Sequence, residues 1–212
     1  MPDPIGSDPV RSDTTRSETA KDDLHRYLHG ARDALRFKID GLDELDARRS
    51  LTPTGLSLLG LVHHTAVCAA EYFGVVFDRP FPEPTPDVDA DPHADFVVPS
   101  EVSLEDALAY GDRAWAHADA TIEALALDAE GTVPWWSGPR ARVTLHQALV
   151  HMIAEAHRHA GHADVLREGL DGSAGLRPDS TNLPEGMDWP DHVARVDRVA
   201  HEAAARAVGP TA

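Results

Sequence analysis

Glu155 and His159 stand one helical turn apart, as E-x-x-x-H, inside a segment whose apolar residues mark a buried face. Leu145, Leu149, Met152, Ala156, Ala163, Leu166 and Leu170 belong to one stripe with alternating steps of four and three, and His159 takes a slot where a leucine is expected. At about 100° per residue, Glu155 lies only about 40° from His159 around the helix, so its carboxylate also points inward. A buried carboxylate is strongly disfavoured unless something pairs with it. Two chemistries answer that need. The i,i+4 pair can grip a metal ion, as in other helical metal motifs, or the two side chains can satisfy each other in a buried hydrogen bond. A metal needs a third ligand from another helix, and His64, within the most apolar segment of the chain, is the candidate. Two imidazoles and one carboxylate with open positions suit Zn²⁺ carrying a water, or Fe²⁺ and its neighbours.

Other side chains gather around these. His162 and His151 project about 60° and 80° from His159 on the same side. His162 is placed to hydrogen-bond Glu155 and steady it, while His151 reads as a supporting or rim group. His63 reads as a solvated or rim residue. Cys68, one turn after His64, reads as a small core residue. His157, Asp164 and Glu168 project to the opposite face, where charge belongs. The sequence contains no nucleophile elbow, phosphate-binding glycine loop or Cys-x-x-Cys pair.

The elements that must position these residues are helices. Residues 1–20 are polar, proline-punctuated and aperiodic, which predicts a disordered tail. From Asp22, the residues Leu24, Leu28, Ala31, Leu35, Ile39 and Leu42 mark a first helix, with Gly41 near its end. A second runs over 56–77, apolar almost all round and therefore central, with His64 inside it. Residues 78–100 interleave prolines with Asp87, Asp89, Asp91 and Asp95, a long acidic crossover of the kind that serves as a lid or a simple connection. Ser103 with Asp106 opens a third helix. Trp135 and Trp136 then fall in a turn, where packing in core or loop is the expected role ahead of ligand contact. Thr144 with Gln147 forms a capping box that starts the fourth helix, over 144–170. A last helix starts near Asp188 and Pro190, with Val193, Val196, Val199 or Ala200, and Ala203 on one side. No strand signal exceeds a few residues. The expected fold is all-α: a four-helix bundle with a long crossover between helices two and three and an extra C-terminal helix, in one domain over 21–207.

The formal charge of −17 excludes ordinary nucleic-acid binding, which rests on basic phosphate contacts, and an anionic membrane surface. No apolar run predicts a membrane span, because LSLLGLV is cut by His63 and His64. The first twenty residues lack the apolar core of a secretory signal, and the single cysteine suits a reducing compartment, so a cytoplasmic location is expected.

Two blocks carry a resemblance: GLSLLGLVHHTAVCAAEYF at 55–73 and HMIAEAHRHAGHADVLREGLDG at 151–172. With GLDEL at 41–45 and W-x-x-H-V-x-R-V at 189–196, they resemble the DinB/YfiT-like family of metalloenzymes, in its actinobacterial mini-circle protein branch. The resemblance spans about residues 22–206. It implies a four-helix bundle, often a homodimer, with a metal held by a helix-two histidine and an H-x-x-x-H or E-x-x-x-H pair from the last long helix. Those positions are His64, Glu155 and His159 here. The chain departs from the branch at Ala69, where a glutamate is usual, and at Leu145-His146-Gln147, where L-R-W is common. The resemblance further implies a divalent metal, zinc first and then nickel or iron, that activates a low-molecular-weight thiol such as mycothiol for transfer to a small electrophilic molecule. His162 or His63 would carry the proton. A metal-bound hydroxide without a thiol, giving a hydrolase, and a non-catalytic helical binding module are the competing readings.

Overall fold

The computed structural model of the chain describes residues 13–178 and 180–207. Six α-helices are present: α1 (Asp13–Phe37), α2 (Glu44–Arg48), α3 (Leu58–Tyr72), α4 (Leu104–Ala124), α5 (Leu145–Asp171) and α6 (Trp189–Ala207). Short strands β1 (Glu130–Thr132) and β2 (Arg142–Thr144) pair antiparallel just before α5, with Gly131 opposite Val143. The all-α expectation holds, with α1, α3, α4 and α5 as the bundle. α5 packs on α1 and α3, and α3 packs on α4.

The caps set the boundaries. Ser57 Oγ accepts from Gly60 N at 3.0 Å to open α3, and Ser103 Oγ accepts from Asp106 N at 3.0 Å to open α4. At α5 the capping box is complete: Thr144 Oγ1 accepts from Gln147 N, and Gln147 Oε1 accepts from Thr144 N. Gly172, at φ 78°, closes that helix in the left-handed conformation. The stripe that follows the box is the core seam of α5. Leu145, Leu149, Met152, Ala156 and Ala163 are fully buried, and His159 among them is only 7% exposed.

Several boundaries differ from expectation. α1 begins at Asp13, before the Asp22 start read from periodicity, because residues 13–19 contain no apolar residue to mark a face. The rest of the expected disordered tail, residues 1–12, lies outside the described residues. α3 stops at Tyr72 rather than continuing to 77. At Gly74 the backbone runs so close to the Ala70 carbonyl that a Cβ would sit 2.1 Å from that oxygen, and Val75–Phe77 form a separate 3₁₀ turn. The segment Leu58–Phe77 is long and apolar enough to span a membrane by length and composition, contrary to the sequence reading. With 67% of it buried inside the bundle, it is the core element of the fold. Asp164, on the charged face as expected, also has a partner there. It is half-buried and lies 2.8 Å from the Nζ of Lys38, whose side chain is 2% exposed and also donates to the Gly175 carbonyl. That partner comes from the end of α1, which periodicity along α5 does not reveal.

The 78–100 crossover docks on α3 through a 3₁₀ turn, Ala94–Phe96. Gly60 permits the approach, since a Cβ there would lie 2.5 Å from the Phe96 carbonyl oxygen. α6 buries none of its side chains, and Val193, Val196 and Val199 are each more than half exposed.

Candidate functional site

α3 and α5 face each other so that His64, Glu155 and His159 converge. His159 Nε2 lies 3.0 Å from Glu155 Oε1, and His64 Nε2 lies 3.5 Å from the same oxygen. One ligand atom from each residue falls within 4.8 Å of the other two. A tetrahedral ion with bonds of about 2.1 Å requires donor–donor edges of about 3.4 Å, so the spacing fits without large movement.

The turn from the crossover supplies what the sequence reading missed. Asp95, buried, places Oδ2 2.6 Å from His64 Nδ1. An ionised carboxylate only accepts, so Nδ1 carries the proton. In the neutral imidazole Nε2 is then bare and turned toward Glu155. With His64 in that form, two lone pairs would face each other across 3.5 Å, a contact that either a proton on Nε2 or a cation between the two atoms relieves. Histidine ligands are commonly backed by a carboxylate in this way. The other Asp95 oxygen, Oδ1, is buried without a hydrogen-bond partner among the described residues. Phe96 stacks on the His64 ring at 4.1 Å between centroids and forms a dry wall. Asp95 was legible only as one acid of an acidic stretch. The available clue was chemical, since a buried ligand histidine needs a partner on its second nitrogen.

The remaining predicted residues fall around this centre. His63 is half-buried rather than solvated: Nδ1 donates to the Asp95 carbonyl at 2.8 Å, and the ring stacks on Tyr110. His162 approaches His159, with Nδ1 atoms 3.4 Å apart, instead of Glu155. His151 lies one turn before Glu155, against Tyr72 and Trp136. Cys68 Sγ lies 3.6 Å from His64 Nε2 and, with His64 and Asp95, forms a second possible ligand group. The Glu155 group differs in that a metal there would leave the Asp95–His64 Nδ1 hydrogen bond intact.

Electrostatics separate the roles. Burial raises the Glu155 carboxyl, but the hydrogen bond and charge of His159 outweigh it, with His64 adding to the effect whenever its Nε2 carries a proton, and the group is held below the usual carboxylate range. Burial, with the neighbouring His64, lowers His159 against the opposing pull of Glu155, favouring the neutral imidazole that a metal requires. Burial, reinforced by Glu71, Asp95 and Glu155, pushes the Cys68 thiol well up and keeps it protonated. Burial and Asp95 raise Glu71, a half-buried acid two residues from the Ala69 position. Burial also raises the Tyr72 phenol, and Cys68, Glu155 and Glu71 add to the effect.

A third group, His25, His29 and Asp119, lies between α1 and α4. Arg32 already pairs with Asp119 Oδ2 at 2.9 Å and donates to His29 Nδ1. It is a satisfied ion network that ties two helices together.

A helical bundle with a carboxylate and two imidazoles across facing helices defines the class. The chain belongs to the mycothiol-S-transferase family, whose model matches residues 23–172, ending at the glycine that caps α5. That places it in the DinB/YfiT-like group that the two sequence blocks resemble. No curated protein matches the sequence. Among solved structures, a conserved protein from Enterococcus faecalis is similar with a TM-score of 0.50 and 19% identity, covering 74% of this chain and 98% of that one. A likeness at that identity shows the shared fold.

Proposed function

We propose that this protein is a divalent-metal-dependent transferase that joins mycothiol, or a similar low-molecular-weight thiol, to small electrophilic molecules. His64, Glu155 and His159 are the proposed ligands. The observation that carries the reading is the convergence of three donor atoms from two helices, with Glu155 Oε1 3.5 Å from His64 Nε2 and 3.0 Å from His159 Nε2. A divalent ion bound there would lower the pKa of a thiol so that the thiolate prevails near neutral pH.

The chain's own groups do the rest. Asp95 holds the His64 tautomer and aims Nε2 inward. To serve as a ligand, His159 gives up its Nε2 proton and carries one on Nδ1, facing His162 Nδ1 at 3.4 Å. His63 is engaged through Nδ1 with the Asp95 carbonyl, so we assign proton transfer to His162. Cys68, kept as a thiol, does not compete as a nucleophile, and Phe96 excludes water from one side of His64.

The test is elemental analysis of tag-free protein alongside mycothiol consumption with a chromogenic electrophile. About one divalent ion per chain is expected, lost in His64→Ala and His159→Ala together with activity. Full activity in metal-free protein overturns the reading. Turnover of an ester that ignores mycothiol would favour the hydrolase instead.

A further inference from the structure

The bundle does not end at the proposed ligands. From His64, successive turns of α3 bring Cys68 and Tyr72 to the same face. From Glu155, the preceding turns of α5 bring His151 and Gln147. Tyr72 and His151 meet with ring centroids 4.6 Å apart, which makes them the next layer beyond the ligands. The β1–β2 turn closes over this layer. Trp136 lies 5.4 Å from His151 and 6.0 Å from Tyr72, and Trp135 Nε1 donates to the Tyr72 hydroxyl at 3.4 Å. The strand pair is held in place at Gly131, where a Cβ would lie 2.6 Å from the Val76 carbonyl oxygen. Four aromatic rings therefore stand one layer beyond the ligands.

Two cavities flank Trp136. One, of about 320 Å³, is lined by Tyr72, Gln147, His151 and both Arg140 and Arg142. The other, of about 360 Å³, is lined by Trp135, Trp136, Ser137 and Arg140. Each is of a size for a one-ring molecule, at the low end for ligand pockets. Their charge is inverted relative to the chain. Acids outnumber Lys and Arg 36 to 19 overall, yet among the described residues every charged side chain lining these two cavities is an arginine. Arg142 pairs with Glu130 at 3.1 Å. Arg140 has no ion pair or hydrogen bond among the described residues, and it lines both cavities.

We infer that the basin formed by Trp135, Trp136, Tyr72, His151 and Arg140 binds the electrophile, and that it selects a planar aromatic ring bearing a carboxylate. The rings supply stacking faces, and the arginine fork fits a carboxylate. With the carboxylate on Arg140, transfer requires the far end of the ring to point toward the Cys68 and Glu155 layer, one helical turn or about 5.4 Å beyond Tyr72 and His151. That orientation rests on the transferase reading; the binding preference does not. In the reaction of an aryl chloride, the thiolate sulfur forms a bond to the ring carbon. The carbon–chlorine bond breaks with its electron pair on chloride, and the thiol proton passes by way of His162 to solvent.

The probes are 4-chloro-3-nitrobenzoate and its neutral carboxamide, titrated calorimetrically into the whole chain without thiol. The carboxylate should bind about tenfold more tightly, the effect of one hydrogen bond to a charged group. Arg140→Gln, on an exposed turn, should remove that preference, and Trp136→Leu should weaken both probes. Equal affinities in the unaltered protein, no binding of either, or a preference that survives Arg140→Gln overturns the inference. So does a result in which Trp136→Leu weakens mycothiol but neither probe, which would make the basin a thiol site. Turnover with mycothiol is scored separately: binding preference without turnover sustains the basin and counts against transfer, whereas turnover without preference does the reverse.

Discussion

Replacing Asp95 separates a carboxylate that organises the site from one that merely lies near it. Its Oδ2 is 2.6 Å from His64 Nδ1, with both side chains almost wholly buried, at 11% and 12% exposure. Loss of such a partner behind a ligand histidine lowers metal affinity about 10- to 100-fold, or about 1.4–2.7 kcal/mol. The two ends of that range belong to different substitutions. Asp95→Asn retains a side-chain oxygen that accepts from Nδ1, so the tautomer survives and only charge is lost; about tenfold is expected. Asp95→Ala removes the acceptor as well and frees the ring to turn, so about a hundredfold is expected. Zinc affinity is measured on tag-free protein by competition with a chromophoric chelator. Asp89→Asn, an exposed acid of the same crossover, serves as the charge control and should bind as the parent does. If Asp95→Ala binds zinc within about twofold of the parent, or no more weakly than Asp89→Asn, Asp95 does not orient His64 and the reasoning is refuted.

Three further outcomes follow from the packing. Gly60→Ala drives a Cβ to 2.5 Å from the Phe96 carbonyl oxygen and should lift the crossover turn, costing about 1–3 kcal/mol in urea unfolding and weakening zinc binding with it. Asp164→Asn leaves the Lys38 ammonium buried without its carboxylate, at about 3–5 kcal/mol, whereas Lys38→Met leaves a half-exposed carboxylate that water can solvate. The first should therefore lower the melting temperature more than the second, and the reverse order would rule out a buried charged lysine. Burial lowers His63, so the native state holds it neutral while the unfolded chain takes up its proton below about pH 6.5. That contribution is absent above pH 6.5 and destabilises progressively as pH falls through that value toward the lowered native pKa. Stability of the chelator-treated protein should thus drop from pH 7.5 to 5.5, less steeply in His63→Gln, and an unchanged slope would exclude His63 as a source.

Much of the proposed site was legible because its parts obey one helical period. Glu155, His159 and the buried seam of α5 lie on a single helix, so their common direction follows from 3.6 residues per turn, and the Thr144–Gln147 box is a local hydrogen-bond pattern. His64 was found by its place in the most apolar helix, a cue to burial though not to direction. Asp95 was not legible in this way. It reaches His64 from a segment without periodicity, and only the close approach of Phe96 to Gly60 puts it there. The same holds for Lys38 and Asp164, which are paired across the α1–α5 contact, and for the end of α3, where the Gly74 backbone rather than any change in hydrophobicity stops the helix. Trp135 and Trp136 read as packing residues, and Trp136 does pack against the core. The strand pair, locked at Gly131 against Val76, also brings both to cavities that gather two arginines from an acidic chain. Sequence by itself determined which residues share a helix face, because that depends on local geometry. Tertiary structure decided which faces meet, because contacts between residues far apart in the chain depend on how the crossover and the hairpin dock.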